Sequence, residues 1–165
     1  MTPKEFLETL PPERRAVIAK LRTMILKGDP LVREVVSVFM GREALVYLQG
    51  DIFKYALAVG KEHMSLHSMV LYGSKTLHEN FRKMMPKVKF QKGCLNFKST
   101  SQLSLPLAEK LIKEMAACEF PPAQFKERME KLAVQAKKRR TAEEAEEGNL
   151  AKPEKPTLRT STKRK

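Results

Sequence analysis

Residues 44–59 read Ala44-Leu45-Val46-Tyr47-Leu48-Gln49-Gly50-Asp51-Ile52-Phe53-Lys54-Tyr55-Ala56-Leu57-Ala58-Val59. Two runs rich in β-branched and aromatic residues flank Gly50-Asp51, a dipeptide suited to a tight hairpin turn. Two antiparallel strands are therefore expected here, and the neighbouring sequence adds to them. Val38-Phe39-Met40 is strand-like on the upstream side. Downstream, Gly60-Lys61-Glu62 marks another turn before a strand over His63 to Leu71, and Cys94 to Lys98 fits one more short strand. The simplest arrangement is an antiparallel meander of about four to five strands.

Helices are expected on both sides of this region. Thr2, Pro3 and Glu5 supply a hydroxyl cap, a proline for the first helical position and a carboxylate that can reach back to the cap. Phe6, Leu7 and Leu10 form the apolar side of that first turn. After Pro11-Pro12, Val17, Ile18, Leu21, Ile25 and Leu26 recur at helical spacing, with Arg14, Arg15, Lys20, Arg22 and Lys27 on the other side and Gly28 as the stop. Asp29-Pro30 repeats the cap-then-proline signal, which predicts a short third helix carrying Leu31, Val35 and Val36. Ser74 caps a predicted helix that Pro86 terminates, and Ser104-Leu105-Pro106 opens another whose Leu107, Leu111, Ile112 and Met115 face the sheet. The fold class is α+β, with the sheet packed against N-terminal and C-terminal helices.

The domain is expected to end near Pro121-Pro122. Residues 123–147 read as a charged helical extension, with Phe125, Met129, Leu132 and Ala136 at helical spacing. Residues 148–165 hold proline, lysine, serine and threonine with too few apolar groups to offset ordering entropy, which predicts a disordered basic tail. The net charge of +13 is spread unevenly: residues 1–122 carry 19 basic against 12 acidic groups, and residues 123–165 carry 13 against 7. Such a field favours polyanions without selecting a sequence. Lys137, Lys138, Arg139 and Arg140, together with Lys163, Arg164 and Lys165, are the candidate polyanion contacts, and their charge fits either a nucleic-acid partner or a merely solubilising tail. No aromatic residues interleave them, so base stacking is not indicated.

Other classes receive less support. No stretch is apolar for long enough to span a bilayer, and the N-terminus lacks a secretory pattern, so no membrane partner and a cytoplasmic location are expected. The two cysteines, Cys94 and Cys118, are too few for a disulfide framework and are expected as buried thiols. No phosphate loop, nucleophile elbow or metalloprotease histidine pair is present, so a non-enzymatic role is expected. Cys94 beside His63 or His67 is the one pairing with nucleophilic chemistry. A joint metal site at His63 and His67 is disfavoured, because on a strand rising about 3.3 Å per residue they point the same way yet stand about 13 Å apart. His78 reads as an ordinary surface histidine. Tyr47, His63, His67 and Lys98 are instead the candidate lining of a pocket for a small anionic ligand.

Several of these stretches resemble the family known as domain of unknown function 1801, the YdhG-like proteins. The resemblance rests on Phe6-Leu7 to Leu10-Pro11, on Lys61-Glu62-His63-Met64-Ser65-Leu66-His67, on Lys92-Gly93-Cys94-Leu95-Asn96-Phe97-Lys98 and on Gln102-Leu103-Ser104-Leu105-Pro106-Leu107. It covers about residues 3 to 118. It implies a compact α+β domain with an antiparallel sheet, and because some bacterial members are described as frataxin-like iron chaperones, it implies iron as cargo. Hard iron ions prefer oxygen ligands, which makes Glu5, Glu8, Glu13, Glu109 and Glu114 the candidate carboxylates. The residues themselves indicate no cofactor.

Overall fold

The computed structural model describes the backbone of residues 1–150 and the side chains of residues 1–141. The first helix, α1, spans Pro3–Glu8 and carries the capping box expected of Thr2 and Glu5. Helix α2 spans Pro12–Gly28 and buries Val17, Ile18, Leu21 and Ile25. Arg15 joins the two, its guanidinium donating to the carbonyls of Glu8 and Leu10 that α1 leaves without helical partners.

Strands β1 (Arg33–Phe39), β2 (Arg42–Gln49), β3 (Ile52–Val59) and β4 (Met64–Ser68) follow. They lead into α3 (Met69–Gly73) and α4 (Lys75–Met84), then β5 (Lys89–Gln91), β6 (Cys94–Phe97), α5 (Leu105–Ala117) and α6 (Ala123–Leu150). The six strands form one antiparallel sheet in the order β1-β2-β3-β4-β6-β5. Residues Met1–Lys126 form one compact unit, and a second begins at Glu127. The first unit thus runs slightly past the boundary expected at residue 122. In the second, the helix continues to Leu150, three residues beyond the end expected for it. Residues 151–165, which include Lys163, Arg164 and Lys165, lie outside the described residues.

Three expectations are corrected. The short helix predicted after Asp29-Pro30 is absent, and Val35 and Val36 lie in β1, paired with Val46 and Leu45. Asp29 is not free to cap a helix. Its carboxylate is buried, 2.6 Å from the Lys54 ammonium, and accepts a hydrogen bond of 2.8 Å from the Tyr55 hydroxyl. The β-branched run of β1 then gains more from cross-strand packing than it would from a helical turn. The strand expected over residues 63–71 stops at Ser68, whose hydroxyl accepts from the amides of Val70 and Leu71 and so starts α3. The sixth strand, β5, is the one missing from the expected four to five.

Met40 (φ 50°) and Gly41 (φ 80°) turn β1 into β2. A two-residue hairpin of this hand needs positive φ at both positions, which glycine adopts freely and methionine only at some cost.

The two faces of the sheet differ. On one, Leu45, Tyr47, Tyr55, Leu57, Leu66, Leu95 and Phe97 are buried together with Leu21, Ile25, Leu111, Ile112 and Met115 of α2 and α5. The other has no helix of the first unit over it. There Ala44, Val46, Ala56 and Ala58 form a small second cluster with Val35, Phe39, Leu48 and Phe53. The register between β2 and β3 shifts between Tyr47 and Leu48, so that Tyr55 pairs with Tyr47 while Phe53 pairs with Leu48, leaving Lys54 as the extra residue of a bulge. The bulge lets Lys54 reach Asp29 on the side of its neighbour Tyr55, where strict alternation would send it to the opposite face.

Candidate functional site

Strand alternation sorts the chemistry-bearing side chains onto the open face. The register aligns Ser37, Ala44, Ala58, Ser65, Asn96 and Lys89 in one row across all six strands. The next row holds Val35, Val46, Ala56, His67, Cys94 and Gln91. On the other side of the first row, at the ends of their strands, lie Arg42, Gly60, His63, Lys98 and Lys87. Where small residues leave depth, the face opens into a cleft of about 600 Å³. Its floor is Ala58, Ser65, His67, Cys94 and Asn96, with Phe39 and Met40 on the hairpin side and Lys87, Lys89 and Lys98 on the side of β5 and β6.

The charge in this cleft is one-sided. Arg42, Lys87, Lys89 and Lys98 line it against a single carboxylate, Glu62. Among the described residues, none of the four cations is in an ion pair. The guanidinium of Arg42 packs over Gly60, where an added Cβ would lie 2.7 Å from its Nη1. Arg14 of α2 donates to the carbonyl oxygens of Gly60 and Lys61, at 2.7 Å for Lys61, and so fixes the turn that carries the cleft's lip.

His67 shares a hydrogen bond of 3.0 Å with Ser65 across one side of β4. Burial, and then the nearby His63, hold its imidazole below the ordinary value, so it is neutral at pH 7 and acts as a hydrogen-bonding group. Cys94 is its register partner on β6, as a nucleophilic pairing requires. The thiol, however, donates to the Gln91 side chain at 3.3 Å, and burial raises its pKa. A protonated thiol beside a neutral imidazole is a poor nucleophile.

Three of the four expected pocket residues, His63, His67 and Lys98, come together in the cleft. Tyr47 does not: it is buried on the opposite face, where its hydroxyl donates to Glu34 at 2.9 Å. The period of two along β2 sends odd-numbered residues such as Tyr47 under α2 and even-numbered ones to the open face. His78 is partly buried: its Nε2 meets the Gln91 carbonyl at 2.7 Å and its ring packs edge-on against Phe90 at 5.5 Å, joining α4 to the edge strand. Arg42, Lys87, Lys89 and Phe39 were not anticipated. The signal for two of them is the polar–apolar alternation Lys87-Val88-Lys89-Phe90-Gln91, which places both lysines on one side and buries Val88 on the other.

The five candidate iron carboxylates do not gather. Glu5 and Glu8 lie on α1, Glu13 on α2, and Glu109 and Glu114 on α5. Glu5 accepts from the Thr2 amide at 2.7 Å, Glu109 lies 2.8 Å from Lys113, and Glu114 lies 3.9 Å from Lys110. Among the described residues, no three His, Cys, Asp or Glu side chains are grouped so as to hold a metal ion. No helix among them is long and apolar enough to cross a membrane.

No protein-family model matches the chain. No curated protein matches it either. Among solved structures it is similar to the crystal structure of a protein from the domain of unknown function 1801 family, YdhG of Bacillus subtilis. The identity is 15% and the TM-score 0.51, over 70% of this chain and 92% of that one. The likeness is one of fold: the chain shares the α+β fold of that domain of unknown function 1801 protein.

Proposed function

We propose that this protein is a non-enzymatic binder of small organic anions, which it takes into the cleft on the open face of its sheet. The observation that carries the reading is the group of four cations, Arg42, Lys87, Lys89 and Lys98, brought to one cleft without an ion-pair partner among the described residues. Like charges lining one concavity repel one another and focus a positive potential into it, which an anion relieves. The volume lies within the roughly 300–1,000 Å³ common for small-molecule sites. Iron as cargo would need clustered oxygen ligands, and the scattered carboxylates favour the anion over it.

Titration of the full-length protein with inorganic phosphate, followed by amide chemical shifts, tests the proposal. Shifts are expected at residues 87–91, 94–98 and 63–67. In the double variant Lys89→Ala, Lys98→Ala the dissociation constant should rise about tenfold, equivalent to about 1.4 kcal/mol. Unchanged affinity in that variant would exclude the cleft as the anion site.

A second reading concerns the second unit, where Lys137, Lys138, Arg139 and Arg140 are exposed on α6. Four cations on one helix can neutralise phosphates of a nucleic-acid duplex without reading its bases. Binding of a DNA duplex should weaken steeply with salt. Four successive residues turn through about 300° of a helix, so about two can face one duplex, and replacing all four by glutamine should reduce the slope of log K against log salt by about 2; an unchanged slope removes them from the contact.

A further inference from the structure

The anion-binding reading leaves the rest of the ligand undefined, and the two walls of the cleft are chemically unlike. The lysine side is polar throughout, whereas the hairpin side sets the ring of Phe39 and the side chain of Met40 beside the Arg42 guanidinium. Phe39 is held in place by a stacked contact with Phe53 (centroids 5.0 Å apart, planes 23° apart) and an edge contact with His67 at 4.8 Å. A ring fixed from two sides is a preorganised surface that needs little further ordering when something packs on it. Met40 is 76% exposed at the hairpin tip and offers a flexible, polarizable side chain beside it. Between the walls lie Ala58 and Ser65, whose small side chains leave a shelf free above the sheet. Inorganic phosphate would satisfy the lysines and leave this apolar wall wet.

Resting on the anion reading above, we infer that the ligand is an organic acid with a flat apolar body, such as an aryl carboxylate or aryl phosphate, its anionic head on Lys87, Lys89 and Lys98 and its ring on the shelf against Phe39 and Met40. Ser65 and Asn96, from neighbouring strands and the same row, are placed to hydrogen-bond polar substituents at the ring's edge. His67, hydrogen-bonded to Ser65, adds a further polar group to the floor.

Calorimetric titration of the full-length protein with four probes tests this: inorganic phosphate, phenyl phosphate, acetate and benzoate. Phenyl phosphate is expected to bind at least tenfold more tightly than inorganic phosphate, and benzoate more tightly than acetate by a similar factor. The larger of the two aryl affinities identifies the head group as phosphate or carboxylate. Phe39→Ala should remove the aryl advantage while leaving inorganic phosphate unchanged. Met40→Gln, at an exposed position that does not threaten folding, should reduce the advantage in the same direction. Equal affinity for aryl and simple anions overturns this inference and leaves the anion reading in place. Failure of all four probes to bind overturns both.

Discussion

Replacing Lys54 by alanine is expected to destabilise the protein by about 3–5 kcal/mol, the range for removing one partner of a buried ion pair. Lys54 and Asp29 are each 1% exposed and 2.6 Å apart. The ammonium also donates to the Gln49 side chain at 2.7 Å, and the Phe120 ring lies 5.1 Å from it. Removing the lysine leaves a carboxylate in the interior whose remaining partners, the Tyr55 hydroxyl and the Leu31 amide, are neutral. Urea denaturation measures the effect as a lower midpoint. The double variant Asp29→Asn, Lys54→Met should regain most of the loss, because it removes both charges, keeps an acceptor for Tyr55 and fills the space of the lysine stem. A double variant no more stable than Lys54→Ala would mean that the ion pair itself, with its hydrogen bond to Gln49, stabilises this corner beyond the relief of an unpaired charge.

Glu34→Ala should cost about 2–3 kcal/mol. Glu34 holds β1 to α2 by accepting three close contacts from the Arg22 guanidinium, at 2.7 to 3.0 Å, and it also accepts the Tyr47 hydroxyl at 2.9 Å. Arg22 is one-third exposed and can turn to water, so the larger part of the cost falls on Tyr47, buried with an orphaned donor. Glu34→Gln retains an acceptor and should cost about half as much. In a cycle with Tyr47→Phe, the double variant Glu34→Ala, Tyr47→Phe should be more stable than the sum of the single changes allows. Additive losses would show that the hydroxyl is not stabilised through Glu34.

These two networks also show why a local reading failed between residues 29 and 36. Asp29-Pro30 is a sound helix-start signal, but Asp29 is committed to Lys54, a residue 25 positions away that reaches it only because β3 carries a bulge. No short window contains that information. The placement of Tyr47 failed for a related reason. Alternation along β2 was legible, but which phase faces the helices depends on how the whole sheet is covered, and the burial of Tyr47 with its hydroxyl on Glu34 settles that.

The sequence by itself determined the elements whose signals are local and repeated. These are α1 with its capping box, α2 and α5 with their apolar stripes, the hairpin at Gly50-Asp51, and the antiparallel character of the sheet. It also placed His63 and His67 on one side of a strand, because residues an even number apart on a strand share a side. The tertiary structure decided what depends on distant partners. Antiparallel register set Lys89 beside Asn96 and Cys94 beside His67, and the order β4-β6-β5 brought the lysines of residues 87–98 to the same cleft as Arg42 and Phe39. A cleft is a property of neighbouring strands, and strand neighbours are chosen by the packing of the whole core, which no single segment encodes.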